Sequence, residues 1–354
     1  MSNNSLSSFE RRKLTTVGLA LLLIFLLVGG VVFSLTHGSW ALESSRVAEI
    51  ILAKCGLPIA GMPSQVEIAI VWDGRLPRVL AAALVGFSLA VAGAVMQGIF
   101  KNPMASPGVI GISSGAALGA VLAIYLGLTA ICAAVLPIMA VSGALATLIT
   151  VYVIATSAGR TSIATLLLAG IALNLILGAV TSFVITLSTR EFDVGRVIVT
   201  WLMGDLNNRN WMHVKIVALT AFASLVLILC YVRDLNILML GEESAANLGV
   251  EVGRVRNVLL FAASMMTGGA IAVAGVIGFV GLVAPHMVRA VVGPDNRRLI
   301  PLAGLLGAVF LAYADLLVRL VIPVDLKVGV LTSLLGGPFF IYQIIRFRKR
   351  FEYM

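Results

Sequence analysis

With 354 residues, 60% of them hydrophobic and only 12% charged, and a mean hydropathy of +1.07, this chain carries far more apolar surface than a soluble core of its length could bury. It reads as a polytopic membrane protein. The net charge of +9 is distributed between the apolar runs rather than gathered in one patch, which excludes a nucleic-acid footprint and reads as membrane topology.

Crossing about 30 Å of hydrocarbon takes roughly 20 helical residues. About ten runs answer to that, at 14–35, 76–99, 107–127, 130–156, 163–188, 211–231, 257–275, 277–292, 299–321 and 328–346, so the expected fold is all-α in a single unit over 1–354. Arg11, Arg12 and Lys13 precede the first run as in a signal peptide, but the run is too long and no small-residue cleavage site follows before Trp40. An even number of spans puts both termini on one side. The basic arm before Leu14 and the basic tail after Ile345 place that side in the cytoplasm, together with Lys101, Arg160, Arg233, Arg254, Arg256, Arg289, Arg297 and Arg298. The long segment 36–75 is then external. Cys55, Cys132 and Cys230 are too few and too scattered for a disulfide framework or a metal site.

The second run starts at Arg75-Leu76-Pro77-Arg78, breaks at Asn102-Pro103 and resumes after Pro107. A proline-interrupted junction between two apolar segments suggests irregular backbone lining a cavity or gate. Arg75 and Arg78 are either interfacial anchors or a docking site for carboxylates. Gln97, Asn102 and Asn174 are the notable amides of the spans and suit interhelical hydrogen bonding, while Gly86, Gly93, Gly98, Gly115, Gly119, Gly268 and Gly269 suit close helix packing. Between the sixth and seventh spans, residues 241–249 have an acidic start, a small helix-forming middle and a glycine stop. They form a short helix, either a plain connector or a lever moved by a partner. In the ninth span Asp315 precedes Arg319 by one helical turn and could neutralise it.

An internal echo adds to this. Leu89-Ala90-Val91-Ala92-Gly93 returns as Ile271-Ala272-Val273-Ala274-Gly275 at an offset of 182, which also carries Pro103 onto Pro285 and Gly111 onto Gly293. Five crossings separate the copies, so they run in opposite directions, the inverted-topology repeat of transporters that alternate access.

Several blocks in order resemble the FecCD-type permease subunits of ATP-driven importers for ferric siderophores, haem and cobalamin: Arg75-Leu76-Pro77-Arg78, the 27 residues from Gly93, LLLAGIALN from Leu166, LMGDLNNRNW from Leu202, LGEESAANLGV from Leu240, GFVGLVAPHMVR from Gly278, ADLLVRL from Ala314 and VGVLTSLLGGPFFI from Val328. The resemblance implies a type II importer fold and a homodimer in the cytoplasmic (inner) membrane. It also implies two separate ATP-binding subunits inside and one substrate-binding protein outside. It places binding-protein docking at Arg75, Arg78 and Arg319, and ATPase coupling at Gly241, Glu242, Glu243, Ala246, Asn247 and Leu248. The cytoplasmic gate falls at Asn102, Pro103 and Met104, with Thr161 and Ser162 contributing. The expected cargo is an iron chelate, ferric siderophore or haem, with cobalamin as the alternative, and no cofactor or metal is expected to reside in the chain.

The residues agree on one point independently. No lysine follows a glycine, so no G-x-x-x-x-G-K-[ST] loop exists and ATP hydrolysis is expected in another subunit, not here. Gly111-Ile112-Ser113-Ser114-Gly115 fits G-x-S-x-G, but a hydrolase needs a strand-to-helix elbow or a histidine facing that serine. An ion-coupled secondary transporter would need an intramembrane carboxylate, for which Asp315 is the one candidate.

Overall fold

Each of the ten apolar runs becomes a helix. The computed structural model describes residues 8–38, 40–58, 63–132, 134–157, 160–188, 192–321 and 325–351. Its helices are α1 (Ser8–Thr36), α2 (Ser44–Lys54), α3 (Gln65–Ile68), α4 (Leu76–Ile99), α5 (Ile112–Tyr125), α6 (Val135–Ala155), α7 (Ile163–Ser188), α8 (Phe192–Leu202), α9 (Trp211–Cys230), α10 (Val232–Leu238), α11 (Glu242–Asn247), α12 (Val252–Ala274), α13 (Val280–Val292), α14 (Asn296–Leu320) and α15 (Val328–Phe351). Among the described residues the strands are limited to β1 (Thr156–Ser157) and β2 (Arg160–Thr161), paired antiparallel with Thr156 opposite Thr161. Side chains of the basic arm Arg11 to Lys13, of Arg160 and of the tail from Arg346 lie outside the described ones.

Seven helical stretches are long and apolar enough to cross a membrane, and the runs expected third, eighth and tenth are shorter apolar helices. The stretch containing α4 is 83% buried, α12 78% and α14 72%, whereas α1 and α7 are each 11% buried. That contrast identifies α4, α12 and α14 as the interior of the bundle and α1 and α7 as its periphery. A helix buried on all sides must be apolar all round, and the AAALVGFSLAVAGAV sequence of α4 is. It packs on α14, α12, α13 and α9.

Paired glycines set the spacing. Gly86 of α4 faces Gly307 of α14, and a Cβ on Gly86 would lie 2.1 Å from the Gly307 carbonyl oxygen. On Gly93 it would lie 1.9 Å from the Gly281 oxygen, and on Gly143 of α6, 2.2 Å from the Gly115 oxygen of α5. Small residues let helices approach where lipid offers no hydrophobic drive, so dispersion between backbones holds the bundle.

α4 and α12 run antiparallel, as the inverted repeat requires. Arg78 near the start of α4 meets Asn207, and the neighbouring Asp205 N–H donates to Ala274 O at the end of α12. The copies differ in detail: Gly93 is interior to α4, whereas Gly275 ends α12 with φ +69°.

Helix ends depart from expectation where the local chemistry is unusual. The second span begins at Gln65, eleven residues early, because a π-helical segment, Ala69–Arg75, continues into α4 through Asp73 and Gly74. The third starts at Ile112 rather than 107. Lys101 ends α4 with φ +48°, its N–H donating to Gly98 O and the Asn102 N–H to Gln97 O. This is the helix stop that glycine normally provides, here made by lysine.

Gly93→Val is expected to abolish the folded protein, because backbone cannot yield as a flexible side chain does and the loss exceeds the about 1–3 kcal/mol of ordinary overpacking. Gly29→Ala, which meets nothing within 4 Å, is expected to leave stability unchanged. Monodisperse yield and thermal unfolding in detergent check both.

Candidate functional site

The predicted site residues gather at two opposite ends of α4. Its 24 residues rise about 36 Å at 1.5 Å each, enough to cross a bilayer core.

At the starting end lie Arg75, Arg78 and Arg319. Each guanidinium is already engaged. Arg75 is buried, and its two terminal nitrogens donate to the backbone oxygens of Leu35 and Trp40. Arg78 grips the buried Asp315 side-on, Nε to Oδ2 at 3.0 Å and Nη2 to Oδ1 at 2.7 Å, while Nη1 donates to Asn207 Oδ1 at 2.7 Å. Arg319 Nη2 donates to Ser34 Oγ at 2.7 Å and to Ser34 O at 3.2 Å. Of the two readings left open for Arg319, direct pairing with Asp315 one turn earlier on the same helix is not formed. Asp315 faces α4 and takes Arg78, whereas Arg319 faces α1. A two-point ion pair also makes Asp315 a poor proton or sodium relay, since its charge is already compensated.

The segment 203–210 ties this end together. Asp205 Oδ2 accepts from Lys327 Nζ at 3.1 Å, Arg209 Nη2 donates to Asp205 O, and Asn210 Oδ1 caps α9. Trp211 Nε1 donates to Trp72 O at 2.9 Å, the two rings lying 5.0 Å apart. Burial works to raise the Asp205 carboxyl, yet the Asn207 backbone N–H and the Lys327 ammonium outweigh it and hold the group below its ordinary value. Burial likewise works to lower Lys327, and hydrogen bonds to Asp325 and Asp205 hold it above its ordinary value.

At the other end of α4 lie the junction 101–111, the β1–β2 turn and α11. Asn102 Oδ1 accepts the Met104 N–H at 2.9 Å, an Asx turn that fixes the chain around Pro103, and the Met104 side chain is exposed. Ser162 Oγ accepts the Thr165 N–H and caps α7, while the Ser162 N–H donates to Ala155 O. Thr161 and Thr156 share a hydroxyl hydrogen bond of 2.9 Å. Gly98 lies against Leu235 of α10, which leads into α11, so these pieces share one end with the last turn of α4.

α11 is bracketed by Gly241 (φ +131°) and Gly249 (φ +82°), conformations that favour glycine at both borders. Glu242 and Glu243 occupy its first turn, where carboxylates meet the positive end of the helix dipole. Leu248 and Leu240 are exposed and Ala245 is buried, so one face holds the helix to the protein and the other presents apolar side chains outward. Beside it, Asn236, Met239, Leu240, Val292, Pro294, Asp295 and Arg298 line a groove of about 550 Å³.

Inside the bundle the amides act as cross-links. Gln97 donates to Gly281 O and Leu282 O of α13 and accepts from Arg289 at 2.8 Å, and Ser114 of α5 donates to Asn174 of α7. Ser114, next to the motif serine Ser113, thus serves packing, and the strand-to-helix elbow a hydrolase would need around Ser113 has no counterpart among the described residues. No group of three His, Cys, Asp or Glu side chains gathers among the described residues either. Sequence reasoning missed Asn207, Ser34 and the Leu35 and Trp40 carbonyls as acceptors for the three arginines, all partners from distant segments. It also missed α8, whose signal was available: Val194, Ile198 and Trp201 recur at helical spacing toward the protein.

Comparison with known proteins places this architecture. The model of the FecCD transport family matches residues 22–346. The cobalamin import system permease protein BtuC of Halobacterium salinarum is 48% identical over 242 residues, covering 68% of this chain and 64% of that protein. The vitamin B12 import system permease protein BtuC of Salmonella paratyphi A is 41% identical over 231 residues, covering 65% and 69%. The match thus spans a little under two thirds of the Halobacterium relative's length. A solved inward-facing structure described as a metal-chelate type ABC transporter superposes with a TM-score of 0.80 at 30% identity, over 94% of this chain and 98% of that one.

The two shifts at Asp205 and Lys327 set a pH window. A depressed carboxylate contributes stability that is complete above its ordinary value of about 3.9 and lost as pH falls through the folded one. A raised ammonium contributes below about 10.4 and loses it as pH rises. Lys327→Met is therefore expected to lower the unfolding temperature most between about pH 4 and pH 10, and the gap to wild type should close outside that window. Melting curves in detergent across pH measure it, and a gap independent of pH contradicts the assignment.

Proposed function

We propose a function from one premise: the chain belongs to the FecCD transport family. It is the membrane permease subunit of a binding-protein-dependent ABC importer, a multi-pass protein that does no covalent chemistry. The family match across 22–346 carries this reading, and the two ends of α4 support it. We assign the Glu242 end to the cytoplasm with both termini, in line with the basic residues flanking the spans there. Two copies of the chain pair in the cytoplasmic (inner) membrane, with the apolar outer faces of α7 and α15 turned to the partner copy or to lipid.

ATP-binding subunits, one beneath each copy, receive α11 through Gly241, Glu242, Glu243, Ala246, Asn247 and the exposed Leu248. A binding protein docks outside, its acidic surface groups competing for Arg75, Arg78 and Arg319 with the acceptors those side chains now hold. Asn102, Pro103 and Met104 form the inner gate with Thr161 and Ser162. Nucleotide binding displaces α11 and opens or closes that gate, a population shift driven by differential contacts in the two states.

The cargo is a metal chelate that passes intact, because the described residues gather no ligand set that would strip it. We assign an iron chelate, ferric siderophore or haem. Cobalamin is the second reading, favoured by the names of the Halobacterium and Salmonella relatives.

Reconstitution of the permease in liposomes with its ATPase and a loaded binding protein tests the reading. Uptake is expected to require ATP and to occur with one cargo among ferric siderophore, haem and cobalamin. The double change Glu242→Arg, Leu248→Asp is expected to reduce it at least about tenfold, as loss of a central apolar anchor plus a charge reversal would. Uptake driven by a proton or sodium gradient without ATPase overturns the assignment.

A further inference from the structure

Arg256 lies in the second turn of α12, buried, and belongs to neither the docking face of α11 nor the gate turn. Its Nη1 nevertheless reaches both. It donates to the Glu242 carboxylate, Oε1 at 3.2 Å, and to the backbone oxygen of Thr161 at 3.0 Å. Among the described residues its Nε has no hydrogen-bond partner, so the guanidinium keeps a buried spare donor within the same small space. The buried guanidinium, shared between the more exposed Glu242 carboxylate and a backbone carbonyl, links the two elements, because leaving either acceptor costs it a charge-assisted hydrogen bond.

The elements at the two ends of this link differ in stiffness. α11 is bordered by the positive-φ glycines Gly241 and Gly249, residue types that accept backbone change at the least steric cost. Thr161 cannot move alone: it pairs with Thr156 at the end of α6, and the adjoining Ser162 bonds Ala155 and caps α7. A displacement of Glu242 drawn through Arg256 therefore carries the ends of α6 and α7 with it. The next residue, Asn257, ties α12 to α6 separately, its Nδ2 donating to the Tyr152 hydroxyl at 3.0 Å. That bond bypasses α11.

We propose that Arg256 is the positioning residue that transmits motion from the short helix α11 to the Thr161 turn, coupling nucleotide-driven movement to the gate. The inference rests on the importer reading above. It adds a residue that reading does not contain.

The test uses the complete complex, permease with ATPase and binding protein, in liposomes with the cargo that wild type imports. Arg256→Met is expected to lower cargo delivered per ATP hydrolysed by about tenfold or more, the size of a lost charge-assisted hydrogen bond. Arg256→Gln, which keeps a polar end but is shorter and offers Glu242 no charge, should show the same loss and serves if the methionine variant does not assemble. Arg256→Lys should recover most of the ratio, and Asn257→Leu should match wild type.

A second readout is structural. In a background without Cys55, Cys132 and Cys230, maleimide reactivity of a cysteine replacing Ser162 should change on trapping with ATP and vanadate. Arg256→Met should remove that change while a cysteine replacing Glu243 still responds. Wild-type cargo per ATP and an intact nucleotide response at position 162 in both Arg256→Met and Arg256→Gln overturn the inference and leave the importer reading standing. Import by wild type without the ATPase overturns both.

Discussion

Where Gly86 of α4 lies against Gly307 of α14, and Gly93 against Gly281 of α13, no side chain separates the helices and their backbones touch. Everything else in the bundle is arranged around a central helix held this closely. Such contact leaves α4 no freedom to tilt or slide relative to its neighbours. It is a fixed post about one bilayer thick, and movement has to occur at its ends or in the more loosely held helices around it. The low burial of α7 and the short, interrupted start of α5 are consistent with that division.

Both ends of the post are finished with buried arginines, and they use them differently. At the Arg75 end the guanidiniums are engaged by carbonyls, a hydroxyl and the Asp315 carboxylate, with the buried Arg319 Nε left without a hydrogen-bond partner among the described residues. An arginine so placed resists removal, since breaking a buried pair strands a charge at a cost of about 3–5 kcal/mol. The segment 203–210, with Asp205 on Lys327 and Asn207 on Arg78, ties α4, α9, α12 and α15 into one platform. At the Glu242 end glycines border α11, and one arginine is shared between two acceptors. A tightly bonded platform at one end and a glycine-bordered helix at the other suit the proposed importer, in which cargo would arrive on one face and mechanical work on the other.

The bundle was largely legible in the sequence because membrane helices announce themselves by length and apolarity, and all ten runs are helices in the expected order. The boundaries were less legible where the usual punctuation is missing. Lys101 stops α4 in a position where glycine would have marked it, and the polar Asp73-Gly74-Arg75 hides a helix that continues through it. The site was legible in its residue types and not in its pairings. Arg78 and Asp315 stand 237 positions apart, and the local spacing of Asp315 to Arg319 suggested a different partner. Arg256 looked like one more basic residue of the inner face, since nothing in its neighbourhood along the chain names Thr161 or Glu242.

The proposed importer requires the two ends of α4 to face two different compartments, cargo at one and energy input at the other. Native Cys55 is exposed beside the Arg75 end, and a cysteine replacing Glu243 would mark the opposite one. With Cys132 and Cys230 removed, labelling of spheroplasts by a membrane-impermeant maleimide reads both directly. Reaction of Cys55 in intact spheroplasts, with position 243 reacting only after lysis, is the predicted result. Reaction of both from the same side would contradict the transport account at its base.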